Sequence, residues 1–291
     1  MTGAAPTARL LMADARRRFE AIGLDDAATD ARVLVCGLLK LSPTALLLEG
    51  EKPVSPEAVA QVEAAVLRRL AREPVHRILG RRDFYGLDLA LSSGTLEPRP
   101  DTEVLVDVIL PHLKSMVMQG RKPKLVDLGT GTGAIALALL HECPEAEAMG
   151  IDISEDALKT AADNAERNGL GSRFVTRSGP WFDKTAERFD IIVSNPPYIR
   201  SDGVKGLEPE VTKFDPIVAL DGGPDGLDAY RAIAQSAASH LEDQGLIGLE
   251  IGFDQRRDVT QIFELAGFLL VEEHRDYGHN DRVLVFAKRL D

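Results

Sequence analysis

An apolar run beginning at Lys124 breaks into Asp127-Leu128-Gly129-Thr130-Gly131-Thr132-Gly133-Ala134 and passes directly into a helical pattern from Ala134 to His141. A strand that feeds a helix through glycine at every second position leaves few architectures open. Glycine lets the backbone turn tightly and lets a ligand approach it closely, and the start of the helix offers unpaired N–H groups. This is the first unit of a parallel α/β sheet with a binding crevice at its strand ends. Alone, Gly129-x-Gly131-x-x-Ala134 also fits a dinucleotide fingerprint, so a dinucleotide-dependent oxidoreductase stays open at this point.

The rest of the chain agrees with an α/β reading. Strands are predicted at Lys124–Leu128, Glu147–Ile153, Arg173–Thr176, Phe189–Val193 and Gly245–Ile251, with helices at Glu155–Asn168 (N-cap Ser154), Gly226–Leu241 and through Ile262–Ala266. Phe268–Glu273 and Arg282–Phe286 read as a closing antiparallel hairpin. The first eighty residues contain helical stripes only: Leu11, Ala15, Phe19 and Ile22, with Gly23 after them; Ala31, Leu34, Val35 and Leu38; and Val59, Val62, Val66 and Leu70. Ser42-Pro43 and Ser55-Pro56 are helix starts. Arg68, Arg69, Arg72, Arg77, Arg81 and Arg82 read as a solvated face, with a partner-docking surface as the rival. From Asp83 to Ser93 the period changes to two, which predicts a hairpin linker, and Asp101 is positioned to cap the helix carrying Val104, Leu105, Val108 and Ile109. The expected organisation is a helical domain over 1–80, a β-hairpin linker over 81–97 and an α/β domain over 98–291.

Two acids sharpen the cofactor end. Asp152 closes the second strand about twenty residues past the glycines, where a carboxylate accepts both hydroxyls of a ribose. Asp127, just before the glycines, suits a ligand with a positive amine rather than a pyrophosphate, and S-adenosylmethionine carries such an amine and a sulfonium. Trp181, the only tryptophan, follows the third strand and is positioned to flank an adenine ring.

The fourth strand runs out into Ser194-Asn195-Pro196-Pro197-Tyr198. Asn195 brings an amide carbonyl, and the two prolines fix φ near about −65° and remove two donors, so the elbow is stiff and its carbonyls are free to accept. Such an elbow grips a planar NH₂ group, with one hydrogen on Asn195 Oδ1 and the other on the Pro196 carbonyl, while Tyr198 packs over it. Asn-Pro by itself is ordinary turn chemistry. Its place at a strand end, in a chain that also carries the glycine loop, is what points to a site.

The formal net charge of −12 argues against a large sequence-independent grip on nucleic acid. Cys36 and Cys143 are isolated in apolar helical contexts, which points to a reducing compartment. His76, His112, His141, His240, His274 and His279 show no metal spacing, so no metal is expected. No apolar run approaches a membrane span and no signal-peptide pattern is read, and the expected location is the cytoplasm.

Several further runs stand in one order: Arg72-Glu73-Pro74 with Gly80; Leu96-Glu97-Pro98-Arg99-Pro100-Asp101-Thr102-Glu103; Asp127 to Gly133; Asn195 to Tyr198; Ala219-Leu220-Asp221-Gly222-Gly223 with Asp225-Gly226-Leu227; and Asp276-Tyr277-Gly278 with Arg282-Val283. In these the chain resembles the HemK/PrmC family, protein-(glutamine amide nitrogen) methyltransferases that modify peptide chain release factors. The resemblance covers nearly the whole chain. It implies a class I S-adenosylmethionine-dependent methyltransferase fold, Rossmann-like and mostly parallel with a terminal antiparallel hairpin, beside a small helical bundle for substrate recognition. It implies S-adenosylmethionine as donor, leaving as S-adenosylhomocysteine, held by Asp127, Gly129, Thr130, Gly131, Thr132, Gly133, Asp152 and Trp181, with Asn195, Arg99 and Thr102 counted beside them. Asn195, Pro196, Pro197 and Tyr198 would hold the glutamine of a Gly-Gly-Gln loop in a class I release factor. Ser178-Gly179-Pro180-Trp181 departs from the pattern, since family members often carry an acid beside the aromatic residue. The same Asn-Pro-Pro-Tyr run occurs in adenine-N6 DNA methyltransferases, the alternative reading, and a non-enzymatic cofactor-binding adaptor is a further one.

Overall fold

The computed structural model describes residues 6–289, and the outermost positions of the domains expected over 1–80 and 98–291 lie outside them. The chain divides into two compact units: the residues up to Arg81 together with Pro209–Phe214, and the remainder.

The first unit holds helices α1 (Ala8–Ala21), α2 (Ala27–Leu39), α3 (Pro43–Glu49), α4 (Pro56–Leu70) and α5 (Val75–Leu79). Ser42 and Ser55 cap α3 and α4 by accepting from Ala45 N at 3.0 Å and Ala58 N at 3.3 Å, and each helix opens on its proline. Phe19, Leu34, Val35, Val62 and Val66 meet in one core. Ile22 departs from the expected stripe: it falls beyond the last turn of α1 and is exposed.

Only part of the arginine run is a solvated face: Arg68 and Arg81 are exposed, whereas Arg69 is turned inward. Arg69 lies seven residues after Val62 and three after Val66, on the same helical stripe, and is buried. Its guanidinium pairs with Asp30 of α2 at 2.7 Å and with Glu210 at 3.0 Å, and Arg72 pairs with Glu210 at 2.9 Å. Arg68 bonds Glu73 at 2.7 Å, and Arg82 is bonded to Glu97. The acids that turn Arg69 and Arg72 inward come partly from far along the chain, which no local charge pattern reveals.

The second unit takes over at Arg82, inside a hairpin of β1 (Arg81–Phe84) and β2 (Leu87–Ala90), followed by a 3₁₀ turn over Pro100–Thr102 and helix α6 (Glu103–Met118). Asp101 sits inside that turn and makes no capping hydrogen bond, because the proline has already set the first turn. Then come β3 (Lys124–Leu128), α7 (Ala134–Glu142), β4 (Glu147–Asp152), α8 (Glu155–Arg167), β5 (Phe174–Ser178), β6 (Phe189–Ser194), α9 (Ser201–Val204), α10 (Pro209–Phe214), α11 (Asp228–His240), β7 (Leu241–Glu250), α12 (Arg256–Leu265), β8 (Phe268–Arg275) and β9 (Asp281–Lys288). Of these, α10 belongs to the first unit.

The seven strands lie in the order β5-β4-β3-β6-β7-β9-β8. The first five are mutually parallel, and β9 runs antiparallel to both β7 and β8. Strand β7 starts four residues before the expected Gly245, since Leu241 pairs with Phe189 ahead of a register shift. β6, buried along its whole length, reads as a continuous apolar run because helices cover both faces of the sheet. The strand order reverses at β3, flanked by β4 and β6, and crevices of doubly wound sheets open at such a point. Among the described residues no single helix is long and apolar enough to cross a membrane.

Candidate functional site

Register brings the strand ends together. Leu128 lies opposite Ile151 on one side and Ser194 on the other, and Ser194 lies opposite Leu249. The glycine loop after β3, Asp152 at the end of β4 and the elbow after β6 therefore share one edge of the sheet. A cavity of about 740 Å³ opens there, with Gly129, Gly131, Asp152, Trp181, Asn195 and Pro197 on its wall.

At the cofactor end, Gly129 N and Thr130 N donate to Ile151 O at 2.8 and 3.0 Å, which pins the loop to β4. Gly129 and Gly131 have φ of 71° and 55°, where other residues are strained. A Cβ on Gly129 would meet nothing within 4 Å, so the loop backbone is bare and open to a ligand. Gly133 is different: its Cβ would press on Leu137 and Ala161 at 3.0 and 3.3 Å, so it serves packing. Asp152 accepts Gly131 N on Oδ2 and Ser154 N on Oδ1, both at 2.9 Å. Each oxygen keeps a lone pair for an incoming hydroxyl.

Asp127 is not on the cavity wall. It is buried under the loop, where its Oδ2 accepts from Thr130 Oγ1 at 2.8 Å, and among the described residues its Oδ1 has no hydrogen-bond partner. Burial pushes its carboxyl up to about 7, so ionisation there costs energy until a cation or donor arrives. Thr130 and Thr132 are likewise buried and brace the loop. Thr132 does so through Asn164, a fully buried residue of α8. Asn164 Nδ2 donates to Thr132 O at 3.0 Å and Ala90 O at 3.1 Å, and its Oδ1 accepts from Ala90 N at 2.7 Å. Asn164→Leu strands three backbone groups and is expected to cost at least about 3 kcal/mol, read as a lower denaturation midpoint; an unchanged midpoint would contradict this bracing role.

At the elbow, Ser194 Oγ donates to Leu128 O at 2.6 Å, and Asn195 Nδ2 donates to Thr102 Oγ1 at 3.2 Å. This leaves Asn195 Oδ1 as the free acceptor. Pro196 is buried, and among the described residues no hydrogen bond reaches its carbonyl. Tyr198 packs beside the second core, and burial pushes its phenol up to about 12, so it stays neutral. Its carbonyl accepts from Gln255 Nε2 at 2.9 Å, and the same amide nitrogen donates to Gly226 O at 3.1 Å. The outgoing chain pairs with the Ala219–Gly223 run: Ile199 N donates to Leu220 O at 3.0 Å and Gly222 N to Ile199 O at 2.8 Å. Gly222 is close-packed, since a Cβ there would meet Pro197 O at 2.7 Å and Tyr198 Cα at 2.9 Å.

Not every residue assigned to the cofactor from sequence stands on the cavity. Arg99 pairs with the buried Asp215 at 2.8 Å, and Thr102 holds Asn195 instead of facing the cofactor end. Conversely, Gly94, Leu96 and Ile217–Ala219 line the cavity. No periodic pattern marks them. The nearest signal was the Ala219–Gly223 run itself. Among the described residues no cluster of three or more His, Cys, Asp or Glu side chains is arranged to hold a metal.

Two family models match the chain, the PrmC N-terminal domain over residues 11–80 and the methyltransferase small domain over residues 102–208. The release factor glutamine methyltransferase of Agrobacterium fabrum is 56% identical over 274 residues, covering 94% of this chain and 95% of its own. That of Rhodospirillum rubrum is 44% identical, covering 94% of this chain and 82% of its own. Among solved structures, the ribosomal protein L11 methylase of Lactobacillus delbrueckii subsp. bulgaricus superposes with a TM-score of 0.51 at 19% identity, over 69% of this chain and 84% of that one. A methyltransferase from Pyrococcus furiosus gives a TM-score of 0.51 at 17% identity, over 78% and 98% of the two chains. These two show the fold alone.

Proposed function

Since the chain belongs to the release factor glutamine methyltransferase family and is a protein-glutamine N-methyltransferase, we propose that it takes S-adenosylmethionine as donor and methylates the side-chain amide nitrogen of the glutamine in a Gly-Gly-Gln loop. One observation carries this reading: Gly129 and Gly131 of the bare glycine loop, Asp152, and Asn195 and Pro197 of the elbow line a single cavity. The residues present fit the donor. The loop backbone is open where a ligand must approach, Asp152 has acceptor capacity left for a ribose, and the unpartnered Oδ1 of Asp127 lies below.

When bound, the donor supplies a methyl group on a positively charged sulfur. The task left to the protein is the acceptor. An amide nitrogen is a poor nucleophile because its lone pair is shared with the carbonyl. Asn195 Oδ1 and the Pro196 carbonyl accept hydrogen bonds from its two N–H groups and fix the direction of the nitrogen, and the methylated nitrogen, now acidic, loses one proton after transfer. Tyr198, neutral and packed against the core, limits rotation of the amide plane. Orientation and preorganised acceptors supply most of the rate. The helical unit serves release factor recognition, and a protein substrate of translation sets the enzyme in the cytoplasm.

Incubating the enzyme and donor with a release factor and with DNA tests this reading. The expected result is one methyl on the Gly-Gly-Gln glutamine by peptide mass spectrometry and none on adenine. Methylation of DNA alone would replace the reading with the adenine-N6 one.

A further inference from the structure

The register that joins the strand ends also buries an acid behind the elbow. The β6–β7 ladder ends with Ser194 opposite Leu249, and the chain passes from there into Asn195 on one side and Glu250 on the other. Glu250 is 2% exposed, and among the described residues its Oε2 has no hydrogen-bond partner. Thr102, whose Oγ1 accepts from Asn195 Nδ2 at 3.2 Å, and Asn195 itself both favour its ionised form. The remaining charged and titratable neighbours come from other elements. Arg282 on β9 is held by Asp276 at 2.9 Å and stands 3.8 Å from Asp101; Tyr198 comes from the elbow, and the Tyr230 hydroxyl on α11 donates to the Glu250 main-chain oxygen at 3.0 Å.

The chemistry of a primary amide makes this arrangement more than packing. The two ends of the Asn195 side chain are nearly isosteric, and only the orientation with Oδ1 toward the cavity can accept a substrate N–H. A carboxylate accepts and cannot donate, so it holds only the NH₂ end of the amide. We propose that Glu250 is a positioning residue which, when ionised, holds the Asn195 amide nitrogen inward and thereby aims its carbonyl at the acceptor amide. This rests on the function proposed above. A protonated Glu250 carries an O–H that donates to the Asn195 amide oxygen instead, which turns the NH₂ group toward the cavity, where it faces the substrate N–H groups donor to donor.

Burial pushes the Glu250 carboxyl up to about 7, with Thr102, Arg282 and Asn195 pulling it back down. Turnover therefore rises as pH increases through about 7. Stability has the opposite sign. An acid whose folded pKa lies above its unfolded one contributes stability that is fully present below the unfolded value and is lost as pH rises through the folded value. Glu250→Gln thus separates positioning from structure. At pH 8 and saturating donor it is expected to melt no lower than the wild type, yet to turn over roughly 10- to 100-fold more slowly, with the inflection near neutral pH gone. Wild-type kcat in this variant, or an unchanged inflection, overturns the proposal. A flat wild-type profile between pH 6 and 8 overturns it without any variant.

A second measurement needs no substrate. The Asn195 side-chain amide resonances are expected to titrate with a midpoint near 7 in the wild type and not in Glu250→Gln; a resonance that does not move sinks the orientation argument. If the titration is present and no release factor is methylated, the orientation stands and the assigned reaction falls.

Discussion

Asn195→Ala is expected to keep the wild-type melting temperature and donor affinity while losing roughly 10²–10³-fold in the single-turnover rate of methyl transfer, the usual effect of deleting one preorganised hydrogen-bonding group at a reacting centre. The fold should not suffer, because the elbow is held by other contacts. Gln255 grips the Tyr198 carbonyl, Ser194 bonds Leu128 O, and Gly222 packs against Pro197 and Tyr198. The acceptor facing the cavity disappears together with the Nδ2 bond to Thr102, leaving one acceptor to direct two N–H bonds. Rapid-quench measurement with excess enzyme reads the chemical step directly, and a rate within threefold of the wild type would remove Asn195 from the mechanism.

The second large effect belongs to Asp152. Asp152→Ala is expected to weaken binding of S-adenosylmethionine by at least about 10²-fold, since two hydrogen bonds to a charged acceptor are worth about 1.5–3 kcal/mol each and 1.4 kcal/mol is tenfold. Part of that loss is indirect. The carboxylate also holds Gly131 N and Ser154 N, so removing it loosens the loop that meets the ligand. Calorimetric titration of donor into the variant measures this. A donor lacking the ribose hydroxyls should lose little further affinity in the variant, whereas an equal loss in both proteins would place the ribose elsewhere.

Much of this site was legible before the structure, and the reason is local. Strand β3, the glycines, Asp152 and the elbow each depend on residues adjacent in sequence, so period and turn chemistry reveal them. The seven-stranded sheet with its terminal hairpin was legible for the same reason. What escaped depends on register and long-range pairing. Thr102 looked like part of the cofactor set, yet the fold places its hydroxyl against Asn195. Gln255, Asn164 and Glu250 are polar residues in ordinary helix or strand contexts, and their roles exist only once distant carbonyls and amides are brought beside them. Arg69 reads as surface charge until Asp30 and Glu210 are seen to enclose it.

Strand β9 occupies an interior place in the sheet although it follows every other strand in sequence. Its pairing with β7 sets Val283 opposite Glu250, and Ile251 N and the Arg282 carbonyl are joined at 2.8 Å. A chain still emerging from the ribosome therefore carries the donor loop and the elbow long before it carries the strand that closes the wall behind them. Such a nascent chain has an open β7 edge until the closing hairpin pairs with it.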